Sequence, residues 1–155
     1  MSGFVLAPAI EATSAPLCLL DLCEARLQLD GRYPWIVLIP RRADLTELEQ
    51  LSVTERAILM EEQVRAGTAV RAIADAWSTS WPTTFSSISK LNFACLGNVT
   101  SQLHIHVVGR RPDDPSWPSP VWGRGEPAPL SAQAVALARR TALPWLQSGR
   151  PDRDA

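Results

Sequence analysis

The chain has 155 residues, a formal net charge of −1, 46% hydrophobic and 20% charged residues, the profile of one globular domain around a single core. It carries no basic run, which argues against polymeric nucleic acid as partner but leaves a single nucleotide open, since a small phosphate site needs few donors. No apolar run reaches the roughly 20 residues that span a bilayer, the first 15 residues lack the basic start of a signal peptide, and three irregularly spaced cysteines read as reduced thiols of a cytoplasmic protein.

Residues 1–14 form an unpatterned lead-in, and 15–147 read as the domain. Leu17 to Leu29 alternates weakly and predicts a strand ending at the turn pair Asp30-Gly31. Tyr33 to Ile39 is rich in aromatic and branched residues and stops at Pro40, so the two segments predict a hairpin. Thr46-Glu47-Leu48-Glu49 and Ser52-Val53-Thr54-Glu55 both match the capping box that opens a helix. From Ser52 the residues Val53, Ala57, Met60, Val64, Val70, Ala74 and Trp77 predict one stripe of a long amphipathic helix. Arg56, Glu61, Glu62, Arg65 and Arg71 then fall on its solvated side.

The Ser- and Thr-rich stretch 78–89 predicts a loop. Leu91 to Leu96 reads as a short central strand, broken at Gly97-Asn98, and Gln102 to Val108 as a second. Residues 110–129 are proline-rich, hold Trp117 and Trp122, and predict an extended connection. Ser131 is placed to cap a last helix that runs to Leu146, with Pro144 kinking or ending it. The residues from 148 onward read as a frayed tail. The whole predicts an α+β fold: about five antiparallel strands, a long helix and a C-terminal helix.

Both histidines of the chain lie in Gln102-Leu103-His104-Ile105-His106-Val107-Val108. On a strand Gln102, His104 and His106 share one face, and the histidine backbones sit roughly 6.7 Å apart. Two imidazoles at that spacing can converge on one phosphate, and neutral imidazole is a competent nucleophile near neutral pH. Two other readings stand beside this one: half-buried histidines with satisfied hydrogen bonds, and two ligands of a zinc site that needs a third from Asp, Glu or Cys.

The stretch from Leu91 to Arg110 resembles the histidine triad family, whose signature is three alternating histidines followed by two apolar residues. Here Gln102 stands at the first position, His104 at the second and His106 at the third. Trp117-Pro118-Ser119-Pro120-Val121-Trp122-Gly123 is similar to the tryptophan-proline tail of a bacterial branch. Leu29 through Pro40, followed by Arg41 and Arg42, resembles the family's second hairpin. The resemblance spans residues 15–125. It implies that His104 attacks an α-phosphate to form a nucleotidyl intermediate and that His106 stabilises charge at the phosphate and leaving group. Gln102 becomes a supporting residue that can donate and accept but carries no charge. Asp30 matches the residue that binds ribose hydroxyls, although on the sequence it serves equally as a turn aspartate. Asn98 falls near ribose and phosphate; the Thr100 or Ser101 hydroxyl, with the backbone, can cradle a phosphate. Trp122, with Trp117, either closes the pocket, packs across a dimer or simply anchors the loop. Arg110 and Arg111 are either solvated or a positive rim for a polyphosphate.

Three functions follow. One is a hydrolase or transferase acting on dinucleoside polyphosphates or adenosine phosphoramidates, with no cofactor required and a homodimer as expected assembly. The second is a nucleotide-binding protein that has lost most catalysis through Gln102. The third is a zinc protein using His104 and His106.

Overall fold

The computed structural model describes residues 3–81 and 86–148. The centre of the 78–89 loop and the tail beyond Ser148 lie outside the described residues. The fold is α+β. One five-stranded antiparallel sheet runs in the order β1-β2-β3-β5-β4, built from β1 (Ser14–Leu19), β2 (Cys23–Gln28), β3 (Trp35–Pro40), β4 (Lys90–Cys95) and β5 (Ile105–Arg110). The described helices are α1 (Pro8–Thr13), α2 (Val53–Ser80) and α3 (Ala132–Leu146).

The single strand expected over Leu17 to Leu29 is two strands. The chain reverses between Leu19 and Cys23, where the Leu20 N–H donates to the Cys23 carbonyl at 2.8 Å. No glycine or proline marks this turn in the sequence. It is held from outside instead: the Leu22 and Cys23 N–H groups donate to the two carboxyl oxygens of Glu62 at 2.8 and 3.0 Å. Glu62, expected on the solvated face of α2, is therefore fully buried. On β1 the register shifts between Pro16 and Cys18. Pro16 has no N–H to give a ladder, and an edge strand with a bulge is where proline is tolerated.

The hairpin of β2 and β3 forms as the Asp30-Gly31 turn suggests, with Cys23 opposite Pro40 and Leu27 opposite Ile36. Of the two capping boxes, Ser52–Glu55 opens α2: Glu55 N–H donates to Ser52 Oγ at 3.2 Å and Ser52 N–H to Glu55 Oε2 at 2.9 Å. The earlier one yields only a 3₁₀ turn, Leu48–Gln50, capped by Glu47, with Gln50 Oε1 taking the Thr46 and Glu47 N–H groups at 2.8 Å.

α2 keeps part of the expected stripe. Val70, Ala74 and Trp77 are buried, but Val53, Met60 and Val64 face solvent, and Leu59, Ala66, Gly67, Ala69 and Ile73 complete the packed face. Small residues set that face because the helix lies close to the sheet. A Cβ on Gly67 would come within 2.8 Å of Leu91 Cδ1 and 3.4 Å of Phe93 Cζ. Their low hydropathy hides them from a pattern that looks for large apolar side chains. α3 starts at the expected cap, with Ala134 N–H on Ser131 Oγ at 3.1 Å, and packs against α2.

The sheet separates two environments. Ala25, Leu27, Ile36, Leu38, Ile105 and Val107 face the helical layer. Trp35, Val37, Ile39 and Val108 face the other way and form a second cluster with Tyr33, Val121 and Ile10 of α1. Period-two alternation thus puts His106, flanked by Ile105 and Val107, on the face away from the long helices. Replacing Glu62 by Ala strands two buried N–H donors and is expected to lower stability by about 2–4 kcal/mol in urea denaturation. A loss below that range counts against Glu62 as the anchor of the first hairpin.

Candidate active site

β5 begins at Ile105, so Gln102 and His104 stand ahead of the ladder rather than inside the strand expected from Gln102 to Val108. The Leu103 N–H donates to the Leu45 carbonyl at 2.9 Å, which draws the chain off the sheet at that point. His104 and His106 still converge, with ring centroids 4.8 Å apart and planes at 81°. His104 Nδ1 lies 2.6 Å from the carbonyl oxygen of Gln102. A carbonyl only accepts, so Nδ1 carries the proton and Nε2 is left with a bare lone pair. His106 is arranged the opposite way. The indole N–H of Trp35 donates to its Nδ1 at 3.0 Å, so its ring proton resides on Nε2. Trp35 and Trp122 both meet the His106 ring edge to face, at 5.3 and 5.2 Å. Burial, and secondarily the neighbouring His104, hold the His106 pKa down at about 3.

Both imidazoles border a cavity of about 480 Å³, a size suited to a small organic ligand. Asn98, Thr100 and Trp122 line it. The remaining anticipated residues lie elsewhere. Ser101 and Gln102 border a separate hollow beside Gly3, Val5 and Asp44. Asp30 is buried, and its carboxyl oxygens take Arg32 Nη2 at 2.7 Å, Arg32 Nε at 3.0 Å and the Ala128 N–H at 3.2 Å. It closes a turn and is not turned toward the cavity. The sequence did not point to Gln28, Trp35 or Thr13, all of which border the cavity. Gln28 and Trp35 end and begin adjacent strands on the site face, a position that period-two counting on a correctly split first hairpin would have exposed. Thr13 belongs to α1, which arises where only a lead-in was expected.

Gln102 has a different task from that expected. Its Oε1 accepts the Ala7 N–H and its Nε2 donates to the Val5 carbonyl, both at 2.8 Å. The amide therefore pairs with the N-terminal arm as a neighbouring strand would. The arm leads directly into α1, whose Ala9, Ile10 and Thr13 wall the cavity.

Trp122 is delivered by a loop fastened at its root. Arg110 is 1% exposed. Its guanidinium donates to both oxygens of Asp114 at 2.8 and 3.1 Å, to Asn92 Oδ1 at 2.7 Å and to the Ser119 carbonyl at 2.8 Å. Burial alone would raise the Asp114 pKa; the Arg110 bonds and the Arg111 and Ser116 N–H groups outweigh it and hold it below the usual range. Tyr33 adds a 2.6 Å hydroxyl contact to Ser116. Arg111 is also buried and reaches Asp113 Oδ1 at 3.3 Å. Neither arginine forms the positive rim considered from the sequence. Among the described residues no cluster of three or more His, Cys, Asp and Glu side chains could hold a metal ion, so the zinc reading finds no third ligand there.

A cavity of small-molecule size over an antiparallel sheet, bordered by two imidazoles whose Nδ1 atoms make opposite kinds of hydrogen bond, is the candidate site. The HIT domain model matches residues 10–113, and the chain belongs to the histidine triad family, a family of nucleotide-binding proteins and hydrolases. Three crystal structures of bacterial histidine triad proteins are similar over nearly the whole chain. The one from Sinorhizobium meliloti 1021 is 33% identical, covering 91% of this chain and 96% of its own, with a TM-score of 0.74. That from Bradyrhizobium japonicum is 30% identical, covering 94% and 99%, with a TM-score of 0.77. That from Marinobacter aquaeolei VT8 is 29% identical, covering 94% and 97%, with a TM-score of 0.76. Among curated proteins no significant match is found.

Replacing Gln102 by Ala removes both contacts to the arm. The expected result is a loss of about 1–2 kcal/mol and faster amide hydrogen exchange confined to residues 5–13. Exchange there equal to that of the unaltered protein would refute the latch.

Proposed function

We propose that the protein cleaves a nucleoside phosphate derivative, a dinucleoside polyphosphate such as diadenosine tetraphosphate or a nucleoside phosphoramidate, through a nucleotidyl-His104 intermediate. The observation that carries this reading is the bond between His104 Nδ1 and the Gln102 carbonyl. It fixes the ring and leaves the Nε2 lone pair available in a cavity of suitable size. Nε2 attacks the α-phosphorus, an Nε2–P bond forms, and the bond from phosphorus to the leaving group breaks with its electron pair. Water then attacks the phosphorus, a P–O bond forms as the Nε2–P bond breaks and returns its electron pair to Nε2, and the water proton passes to solvent as the nucleoside monophosphate departs. His106 Nε2–H donates to an oxygen at the reacting phosphate, a neutral hydrogen bond aimed where charge develops. The Asn98 amide and Thr100 hydroxyl add donors to the phosphate. Trp122 offers an aromatic edge to the base, and Gln28 and Thr13 offer polar groups to the sugar. No metal ion enters any of these steps.

The Gln102 side chain is bonded to the N-terminal arm, and the hydrolase reading does not require it to act on the phosphate. The nucleophile is held by the main chain of residue 102, and any side chain there leaves that carbonyl in place. We place the reaction in the cytoplasm, in keeping with three cysteines that form no disulfide and, among the described residues, no helix long and apolar enough to cross a membrane.

His104→Ala is expected to lower kcat/KM by about 10⁴-fold or more while nucleotide affinity in calorimetry stays within a few-fold. Rapid acid-free quench of the unaltered protein with labelled substrate should trap an acid-labile adduct on His104. Turnover that survives in His104→Ala would overturn the reading. As assembly we propose a homodimer through the β4 edge, where Phe93 and Leu96 stand exposed. Sedimentation equilibrium should then return about twice the 17.0 kDa chain mass, and Phe93→Lys should return the mass of one chain. A monomer at all concentrations would exclude it.

A further inference from the structure

Trp35 is unusual on β3. It is a large aromatic in a run of aliphatic residues, buried, and it spends its only polar atom on His106. An indole N–H can donate and cannot accept. The bond therefore has one sense: Nδ1 of His106 must keep its lone pair, and the ring proton must stay on Nε2. Protonating His106 to imidazolium would require a proton at Nδ1 and would expel the indole from its bond. The groups packed against His106 are the Trp35 and Trp122 rings, Val37 and Ala94 in register across the sheet, and His104. Of these only His104 titrates, and as a potential like charge it works against a second imidazolium.

Building on the hydrolase reading above, we propose that Trp35 is a positioning residue that locks His106 as a neutral Nε2–H donor and thereby restricts the site to leaving groups that depart without a proton. A phosphoanhydride meets that condition. The P–O bond breaks, the electron pair goes to a phosphate oxygen, and the resulting anion is stable near neutral pH. An alkylamine does not. Its P–N bond would have to release an amide anion unless a proton arrives, and a neutral imidazole would become imidazolate by giving one. The preferred substrate class is therefore the nucleoside polyphosphate or dinucleoside polyphosphate, with phosphoramidates of basic amines disfavoured. The depressed pKa of His106 agrees with this assignment.

The experiment compares the unaltered protein with Trp35→Phe, which keeps an aromatic ring and removes the donor. In the unaltered protein, ¹⁵N chemical shifts of His106 should report a single Nε2–H tautomer from pH 5 to 8. In Trp35→Phe the Nδ1–H tautomer should appear and the titration midpoint should rise. In activity assays, diadenosine tetraphosphate should be cleaved by the unaltered protein at least ~100-fold faster, by kcat/KM, than adenosine 5′-(N-butyl)phosphoramidate. That is the scale of a missing general acid. In Trp35→Phe the ratio should narrow by about tenfold or more, with phosphoramidate cleavage rising as pH falls and His106 gains a proton. A mixed tautomer or a midpoint above pH 5 in the unaltered protein overturns the lock. Equal or preferred cleavage of the phosphoramidate overturns the restriction. If neither substrate is turned over, the hydrolase reading fails and the restriction with it, while the ¹⁵N shifts still decide the contact between Trp35 and His106.

Discussion

Residue 102 bonds both to the first histidine and to the N-terminal arm. Its carbonyl oxygen takes the Nδ1 proton of His104 and so decides which nitrogen of that ring is bare. Its side-chain amide holds Val5 and Ala7, and through them the helix that walls the cavity. Both depend on the bend ahead of β5, because in a regular strand the carbonyl of residue 102 would point along the ladder to a neighbouring strand. The bend is held in turn by the Leu103 N–H on Leu45. Both contacts therefore rest on one short piece of backbone that leaves the sheet two residues before the second histidine enters it.

Elsewhere the molecule treats buried charge in a consistent way. Arg110 beside Asp114, Asp30 beside Arg32 and Glu62 under the first hairpin are all buried, and each is met by several partners at hydrogen-bonding distance. A buried charge left unpaired costs several kcal/mol, so each of these groups fixes local geometry tightly. Two of the three sit at the base of segments that carry site residues. Arg110 fastens the loop that ends in Trp122, and the Asp30 turn sets the start of β3 and hence the direction of Trp35. The polar core serves the site by holding its scaffold and takes no part in lining it.

How much of this was legible in the sequence follows from how local each signal is. The Ser52 cap and the Asp30-Gly31 turn are short-range and each appears where its pattern falls, whereas the alternation around the histidines holds as a strand only from Ile105 onward. The reversal at Leu20 to Cys23 is bonded to Glu62, some forty residues away, and carries no glycine or proline of its own. The packed face of α2 depends on how near the sheet lies, so Ala66, Gly67 and Ala69 displace the larger Met60 and Val64 that pattern alone favours. Gln102 was legible as a change at a motif position but not as a latch, since its partners lie in a segment with no pattern. At Asp30 a motif position and a turn position coincide in the sequence, and the Arg32 and Ala128 contacts that hold its carboxylate lie too far along the chain or too deep in side-chain detail to be read there.

Among the described residues the cavity lining holds no Lys, Arg, Asp or Glu, which bears on how such a site could act on a charged group. The nearby arginines, Arg32, Arg110 and Arg111, are engaged with carboxylates of the scaffold. For the phosphate substrate proposed above, the polar groups that remain include the His106 N–H, the Asn98 amide and the Thr100 hydroxyl. In water such donors contribute little, because solvent competes and screens. Against the Trp35, Val37, Leu96 and Trp122 side chains the effective dielectric is lower, and a dipole already aligned pays no reorganisation when charge shifts. A neutral site of this kind binds the ground-state anion weakly relative to a cationic one, which leaves more of its interaction to be realised as charge moves onto the equatorial oxygens. On that argument the tryptophans that enclose the histidines are part of how the site stabilises charge, since the value of each N–H depends on the water they keep out.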